Sequence, residues 1–229
     1  LMFFEFFAML AEGFDLPILD WIQANMANPF LDFIMPWITL LGDAGIFWIA
    51  CAILLAIFPK TRRMGFGMGF AMAMGLLVCN IILKPAVGRI RPYDFQETLG
   101  VTINLLIEKQ HDFSFPSGHT QTAVGTYGSI ALGFSKAWVR WLCLVIIIIV
   151  PFSRMYLGVH TPLDVGVSVV IGTVLVLVLW PIMERSDEKP GRMAAVLLAM
   201  ILGSGAFLVF LLLHDFPADV DADNPVSYT

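Results

Sequence analysis

Charge is scarce in this sequence. Only 14% of its 229 residues are Asp, Glu, Lys or Arg, and the net charge is −5, so a nucleic-acid partner is not expected. Cysteine is scarcer still. Cys51, Cys79 and Cys143 each lie inside an apolar run and none forms a CxxC pair, which marks them as small core residues, not disulfides or metal ligands. There is no HExxH motif and no carboxylate cluster in the loops that could hold two metals, so no metal and no cofactor are expected. The basic start and small-residue cleavage site of a signal peptide are missing from the first residues. No repeat, low-complexity tract or change of composition divides the chain, and a single domain over 1–229 is expected.

What the chain has in excess is apolar side chains. They make up 59% of it, with a mean hydropathy of +0.84, against ~45–50% in a soluble domain. They are concentrated in runs such as 138–150 and 165–180, and a helix needs about 20 of them to cross the bilayer core. The expected fold is therefore all-α: a polytopic membrane bundle of about six transmembrane helices within 44–214, at 44–59, 64–83, 118–134, 138–157, 161–182 and 192–213. The first is short, and 31–41 extends it across a bend at Gly42–Asp43. Residues 2–26 are rich in Phe, Met and acids and hold no Lys or Arg, so the segment 1–43 is expected to carry an interfacial helix, with a further span as the alternative. Small residues at Gly65, Gly69 and Ala73, and at Gly125, Ser129 and Gly133, have the spacing of close helix packing. Residues 215–229 form an acidic tail. Asp219, Asp221 and Asp223 imitate the opening of a calcium loop, but Asn224 replaces the turn glycine.

The basic residues divide between alternate loops. Lys60, Arg62, Arg63, Lys136, Arg140, Arg185, Lys189 and Arg192 outnumber Lys84, Arg89, Arg91, Lys109 and Arg154. By the positive-inside rule the first set is cytoplasmic, and the long loop 84–117 faces outward with the acidic tail. Three outward segments carry the chemistry. The first runs from Lys84-Pro85 to Arg91-Pro92, the second is Pro116-Ser117-Gly118-His119, and the third runs from Ser153-Arg154 through His160 to Asp164. Ionisable residues this close to a bilayer are costly, so they mark a functional site. Lys84, Arg91 and Arg154 make a cationic cradle suited to a phosphate. Ser117 suits a helix N-cap, Gly118 allows close backbone approach, and free N–H groups at a helix start bind anions. Phosphoryl transfer also needs a nucleophile and a proton for the leaving oxygen. His160 has Asp164 four residues on to hold one ring N–H and aim the other nitrogen. His119 has no such partner nearby and suits the general acid.

These three segments together resemble the type 2 phosphatidic-acid phosphatases, which share a core with vanadium haloperoxidases. The family pattern is Lys-x6-Arg-Pro, then Pro-Ser-Gly-His, then Ser-Arg-x5-His-x3-Asp, and the chain matches all three across roughly 60–182. The resemblance implies a phosphohistidine intermediate: His160 attacks phosphorus, Asp164 orients it, and His119 protonates the leaving group. Lys84, Arg91, Ser117, Gly118 and Arg154 would bind the phosphate. It also implies metal independence and inhibition by vanadate. The expected substrate is a lipid phosphate at the outer leaflet of the plasma membrane: undecaprenyl diphosphate (favoured, because its phosphate must be removed outside to recycle the carrier), phosphatidylglycerol phosphate or phosphatidic acid. The apolar stretch 98–107 and the N-terminal segment are expected to frame the lipid entrance.

Plainer readings stand beside these. Asp164 can serve as a helix cap for Thr161-Pro162. Arg89, off the pattern, reads as an interfacial residue reaching for water. Lys109, His111 and Asp112 read as loop surface, and His214 as interfacial. The rival functions are a soluble haloperoxidase, which the apolar spans oppose, and a transporter or non-catalytic anion-binding membrane protein, which leaves the paired histidines unexplained.

Overall fold

In the computed structural model, residues 9–43, 46–95, 102–110 and 112–187 are described, together with isolated positions 191, 195, 198, 202 and 209. Among them every regular element is helical. The expected last span 192–213 and the acidic tail, with His111 and His214, lie outside the described residues, apart from those isolated positions in the span.

A widened helical turn, Ala11–Asp15, leads into α1 (Leu16–Met26). Asn28 then stops one helix and starts the next. Its backbone is extended, and its side chain accepts hydrogen bonds from Phe30 N and Leu31 N at 3.1 and 3.0 Å, capping α2 (Pro29–Thr39) with Pro29 in its first turn. A tight turn, Leu40–Gly42, separates α2 from α3 (Ile46–Ile57). Pro29–Gly42 and Ile46–Ile57 together have the length and hydropathy of one span bent by 44°, which agrees with the bend expected at Gly42–Asp43. Next, α4 (Arg62–Gly75) continues through π-helical turns at Leu76–Leu83 into a last turn at Lys84–Val87. Gly88, at φ 61°, ends this rod in the left-handed region that favours glycine. The remaining helices are α5 (Gly118–Gly133), α6 (Ala137–Tyr156) and α7 (Pro162–Asp187).

The protein is a multi-pass membrane protein. Three single helices among the described residues are long and apolar enough to span: Arg62–Asp94, Ala137–Tyr156 and Pro162–Arg185. Their outward faces carry exposed Trp138, Trp141, Ile148, Val170, Val174 and Leu177, side chains suited to lipid. The expected span 118–134 differs from these. At 16 residues, α5 is the bundle's central helix, packed on α4, α6 and α7. Its buried residues include Thr120, Gln121, Thr122, Thr126 and Ser129, so it meets protein where the others meet lipid.

Helix approach is closest where glycines sit at crossings. A methyl group on Gly65 would lie 2.3 Å from Ala56 N of α3, and one on Gly125 would lie 2.9 Å from Ala71 Cβ of α4. Gly67 faces Ser129 and Gly133 faces Met64. The expected α5 stripe of Gly125, Ser129 and Gly133 therefore packs as a face. On α4 the packing residues are Gly65, Gly67 and Ala71, while Gly69 looks into open space. Two straight helices touch closely only near their crossing, so the small-residue spacing does not extend along the whole of α4.

Because successive spans alternate in direction, the end of the α4 rod, the start of α5, the end of α6 and the start of α7 meet at one end of the bundle. The N-terminal helices cover this end. Gln23 donates to Asn104 O at 2.8 Å and accepts from Asn104 N at 2.9 Å, and Tyr156 donates to Asp32 Oδ1 at 2.5 Å. Beneath them Ile22, Met35, Tyr93, Tyr156, Leu157 and Val159 form a buried cluster. Ile103 is buried with Ala11, Leu16, Leu19 and Ile90. Of the stretch expected to frame the lipid entrance, Ile103, Leu105 and Ile107 pack on the protein and Leu106 is exposed; 98–101 lie outside the described residues.

Candidate functional site

At that end lies a cavity of about 210 Å³. Lys84, Arg91, Gly118, His119, Arg154 and His160 all line it, which brings together six of the eight residues picked out from the sequence. The other two, Ser117 and Asp164, are fully buried beside it. A larger apolar groove of about 740 Å³ runs between α5, α6 and α7 and contains none of these groups.

Each residue is placed by a helix end. Lys84 sits in the last turn of the α4 rod and Arg154 in the last turn of α6. Ser117 caps α5, its hydroxyl accepting from Thr120 Oγ1 at 3.1 Å and facing Thr120 N at 3.5 Å, and Gly118 and His119 of the first turn line the cavity. Gly42 packs against the backbone of His119: a methyl there would lie 2.7 Å from the His119 carbonyl oxygen. Arg91 is held by carbonyls, with Nε donating to Asp112 O and Nη1 to Val159 O, both at 2.9 Å. Arg154 Nη1 donates to Thr39 Oγ1 at 3.0 Å, and its Nε has no hydrogen-bond partner.

His160 is 1% exposed, with Nε2 3.4 Å from Arg91 Nη1. Burial first, and the Arg91 guanidinium next, push its imidazole down to about 3. Both influences favour the neutral ring, and Nε2, when it carries the lone pair, faces the Arg91 guanidinium. The sequence suggested that Asp164 holds the other ring nitrogen. The structure places Nδ1 and Asp164 Oδ2 at 3.6 Å, facing each other but beyond hydrogen-bond length, and Nδ1 has no other partner. The carboxylate is already engaged. Oδ2 accepts from Thr161 N at 2.8 Å and from the Ser114 hydroxyl, and Oδ1 accepts from Arg89 Nη1 at 2.8 Å. Asp164 N in turn donates to Thr161 Oγ1 at 3.3 Å, so the capping role is present as well.

Two expectations from the sequence are corrected here. Arg89 does not reach for water. It is 1% exposed, and its guanidinium joins Asp164 to Asp15, whose Oδ2 lies 2.5 Å from Nη2. Nor is Asp112 idle loop surface. Its half-exposed carboxylate bridges Lys84 and Arg91. Burial pushes the Asp112 carboxyl up, but the two cations outweigh burial and hold it well below the usual carboxylate range. Lys109 does lie at the surface, paired with Asp94 at 2.7 Å. Among the described residues no three His, Cys, Asp or Glu side chains converge as a metal site. Arg89 and Asp112 were missed because their partners lie far along the chain. The available signal was two acids, Asp15 and Asp112, in segments reaching the same face as the motifs.

Known proteins resemble this chain in sequence and in fold. The undecaprenyl-diphosphatase of Sulfolobus acidocaldarius is 30% identical over 162 residues, covering 70% of this chain and 74% of that protein. Phosphatidylglycerophosphatase B of Bacillus subtilis is 31% identical over 175 residues, covering 72% and 79%. The crystal structure of a transmembrane PAP2-type phosphatidylglycerolphosphate phosphatase from Bacillus subtilis superposes with a TM-score of 0.62 at 28% identity, covering 82% of this chain and 95% of that one. The sequence model of the PAP2 superfamily matches residues 64–188, which hold every cavity-lining residue named from the motifs, and the chain belongs to this family of membrane lipid phosphatases.

Proposed function

We propose that this protein hydrolyses a lipid phosphate or diphosphate through a phosphohistidine at His160, without a metal, at the extracytoplasmic face of the plasma membrane. The observation that carries the reading is the convergence of Lys84, Arg91, Arg154, His119 and a buried His160 on one cavity at one end of the bundle. The phosphate displaces the Asp112 carboxylate from Lys84 and Arg91 and takes further hydrogen bonds from Arg154, Ser117 and the backbone amides at Gly118. His160 Nε2 donates its lone pair to phosphorus while the bond to the leaving oxygen breaks. His119, which takes up a proton once the phosphate's negative charge offsets the surrounding cations, passes that proton to the leaving oxygen. Water then attacks phosphorus, the P–N bond breaks, and the water's proton returns to His119. The charge left on the phosphorylated imidazole is stabilised by the Asp164 carboxylate, held 3.6 Å from Nδ1.

Relatives named for undecaprenyl diphosphate and for phosphatidylglycerol phosphate support a lipid substrate, and the first is favoured here. The outward orientation rests on the distribution of basic residues. The test is phosphate release by purified protein in detergent with EDTA, from undecaprenyl diphosphate, phosphatidylglycerol phosphate and phosphatidic acid, with His160→Ala as control. Release by the intact protein alone is expected, fastest from undecaprenyl diphosphate. Release that needs a divalent metal, or that survives in His160→Ala, contradicts the mechanism, and no release from any lipid favours an anion-binding role.

A further inference from the structure

We propose that Asp15 and Arg89 are positioning residues for the Asp164–His160 pair, making the N-terminal segment a working part of the site. The inference rests on the reading that His160 is the nucleophile.

The geometry is a chain of buried charges from the N-terminal turn to the reacting histidine. Asp15 is 0% exposed, Arg89 1% and Asp164 0%. Asp15 holds the Asp164 turn by two routes. Its Oδ2 lies 2.5 Å from Arg89 Nη2, while its Oδ1 accepts from Leu163 N at 2.9 Å. Arg89 Nη1 meets the same turn at Thr161 Oγ1 and Asp164 Oδ1, both at 2.8 Å. The turn 161–164 is thus clamped beside His160, and the clamp fixes the 3.6 Å separation between Asp164 Oδ2 and His160 Nδ1. Asp15 belongs to the turn before α1 and lies 74 residues from Arg89, outside the span 64–188 matched by the family model.

The charge pattern supports a functional reading. Arg89 is shared by two carboxylates, so it neutralises Asp164 only in part and leaves negative potential facing the imidazole. The other charged or titratable groups lining the cavity with His160 are Lys84, Arg91, Arg154, His119, Asp43 and Asp112, of which Asp112 is engaged by Lys84 and Arg91, and the Ser114 hydroxyl faces Asp164. Asp15 therefore tunes how much of the Asp164 charge is available when phosphorylation makes the imidazole positive.

The test measures phosphate release against pH for the full-length protein and four variants: Asp15→Asn, Arg89→Lys, Arg89→Gln and Asp15→Asn/Arg89→Gln. Asp15→Asn is expected to lower kcat roughly 10- to 100-fold, the scale of losing an outer-shell partner, with KM little changed. Arg89→Gln leaves two facing carboxylates without their cation. One of them takes up a proton, and the acidic limb of the rate profile moves to higher pH. Adding Asp15→Asn removes the repulsion, returns the limb toward its wild-type position and makes the double variant faster than Arg89→Gln alone. Arg89→Lys keeps the limb in place. A purely structural clamp lowers the yield of folded protein without moving the limb, and that result overturns the proposal, as does wild-type kcat in Asp15→Asn. If Arg89→Gln does not accumulate, Asp15→Asn decides alone. If the wild-type protein releases no phosphate, the underlying reading fails instead.

Discussion

At the scale of single residues, Asp112 shows how the cationic cradle balances its charge within the protein. Its carboxylate lies between Lys84 and Arg91, where the proposed phosphate would bind. An anion on a half-exposed loop position is a weak occupant, and a dianion with more acceptors displaces it. Asp112→Asn removes this competitor. It is expected to tighten inhibition by vanadate or inorganic phosphate about fivefold, the equivalent of about 1 kcal/mol for a partly exposed ion pair. Weaker inhibition would mean instead that Asp112 organises the cations. The residues legible in the sequence were those whose chemistry is local. Pro116 to His119 form one helix start, and His160 and Asp164 share one turn. Asp112 and Arg89 act through partners 28 and 75 residues away, and no local spacing encodes such distances.

At the scale of helices, the same contrast appears in the glycines. Gly125, Ser129 and Gly133 lie on the central helix, which packs on three others, so a stripe read from the sequence becomes a packed face. Gly65 and Gly69 have the same spacing on α4, yet only Gly65 meets another backbone. Spacing reveals a face but not where a second helix crosses it. Gly65→Ala forces a methyl group against α3 and is expected to cost roughly 1–3 kcal/mol, seen as a lower thermal unfolding temperature in detergent. Gly69→Ala enters open space and gains helix propensity, so it should be neutral or stabilising by up to about 1 kcal/mol. Equal losses in both would contradict the packing described here. The π-helical turns at Leu76–Leu83 were not legible either. They carry the rod to Lys84, and their turn geometry follows from tertiary packing, not from any pattern in this apolar run.

At the scale of the whole molecule, the bundle has two unlike ends. Arg63 and Glu184 meet at 3.5 Å at one end, on exposed side chains. At the other, buried cations and histidines converge beneath the N-terminal helices. That polarity follows from four helix ends meeting on one side, and the motif order in the sequence was enough to anticipate it. The closing of that end by residues 11–39 was not legible, because its apolar clusters and polar pairs, such as Gln23 with Asn104 and Asp15 with Arg89, join residues far apart in the chain. The central claim is that the polar end runs phosphoryl transfer through one histidine. The most direct measurement is acid quenching of the protein during turnover of a lipid substrate labelled with 32P, followed by mapping of the label. The account predicts an acid-labile, alkali-stable phosphoryl group on His160 in the intact protein and no label in His160→Ala. Turnover with no protein-bound label, or label on another residue, would contradict it.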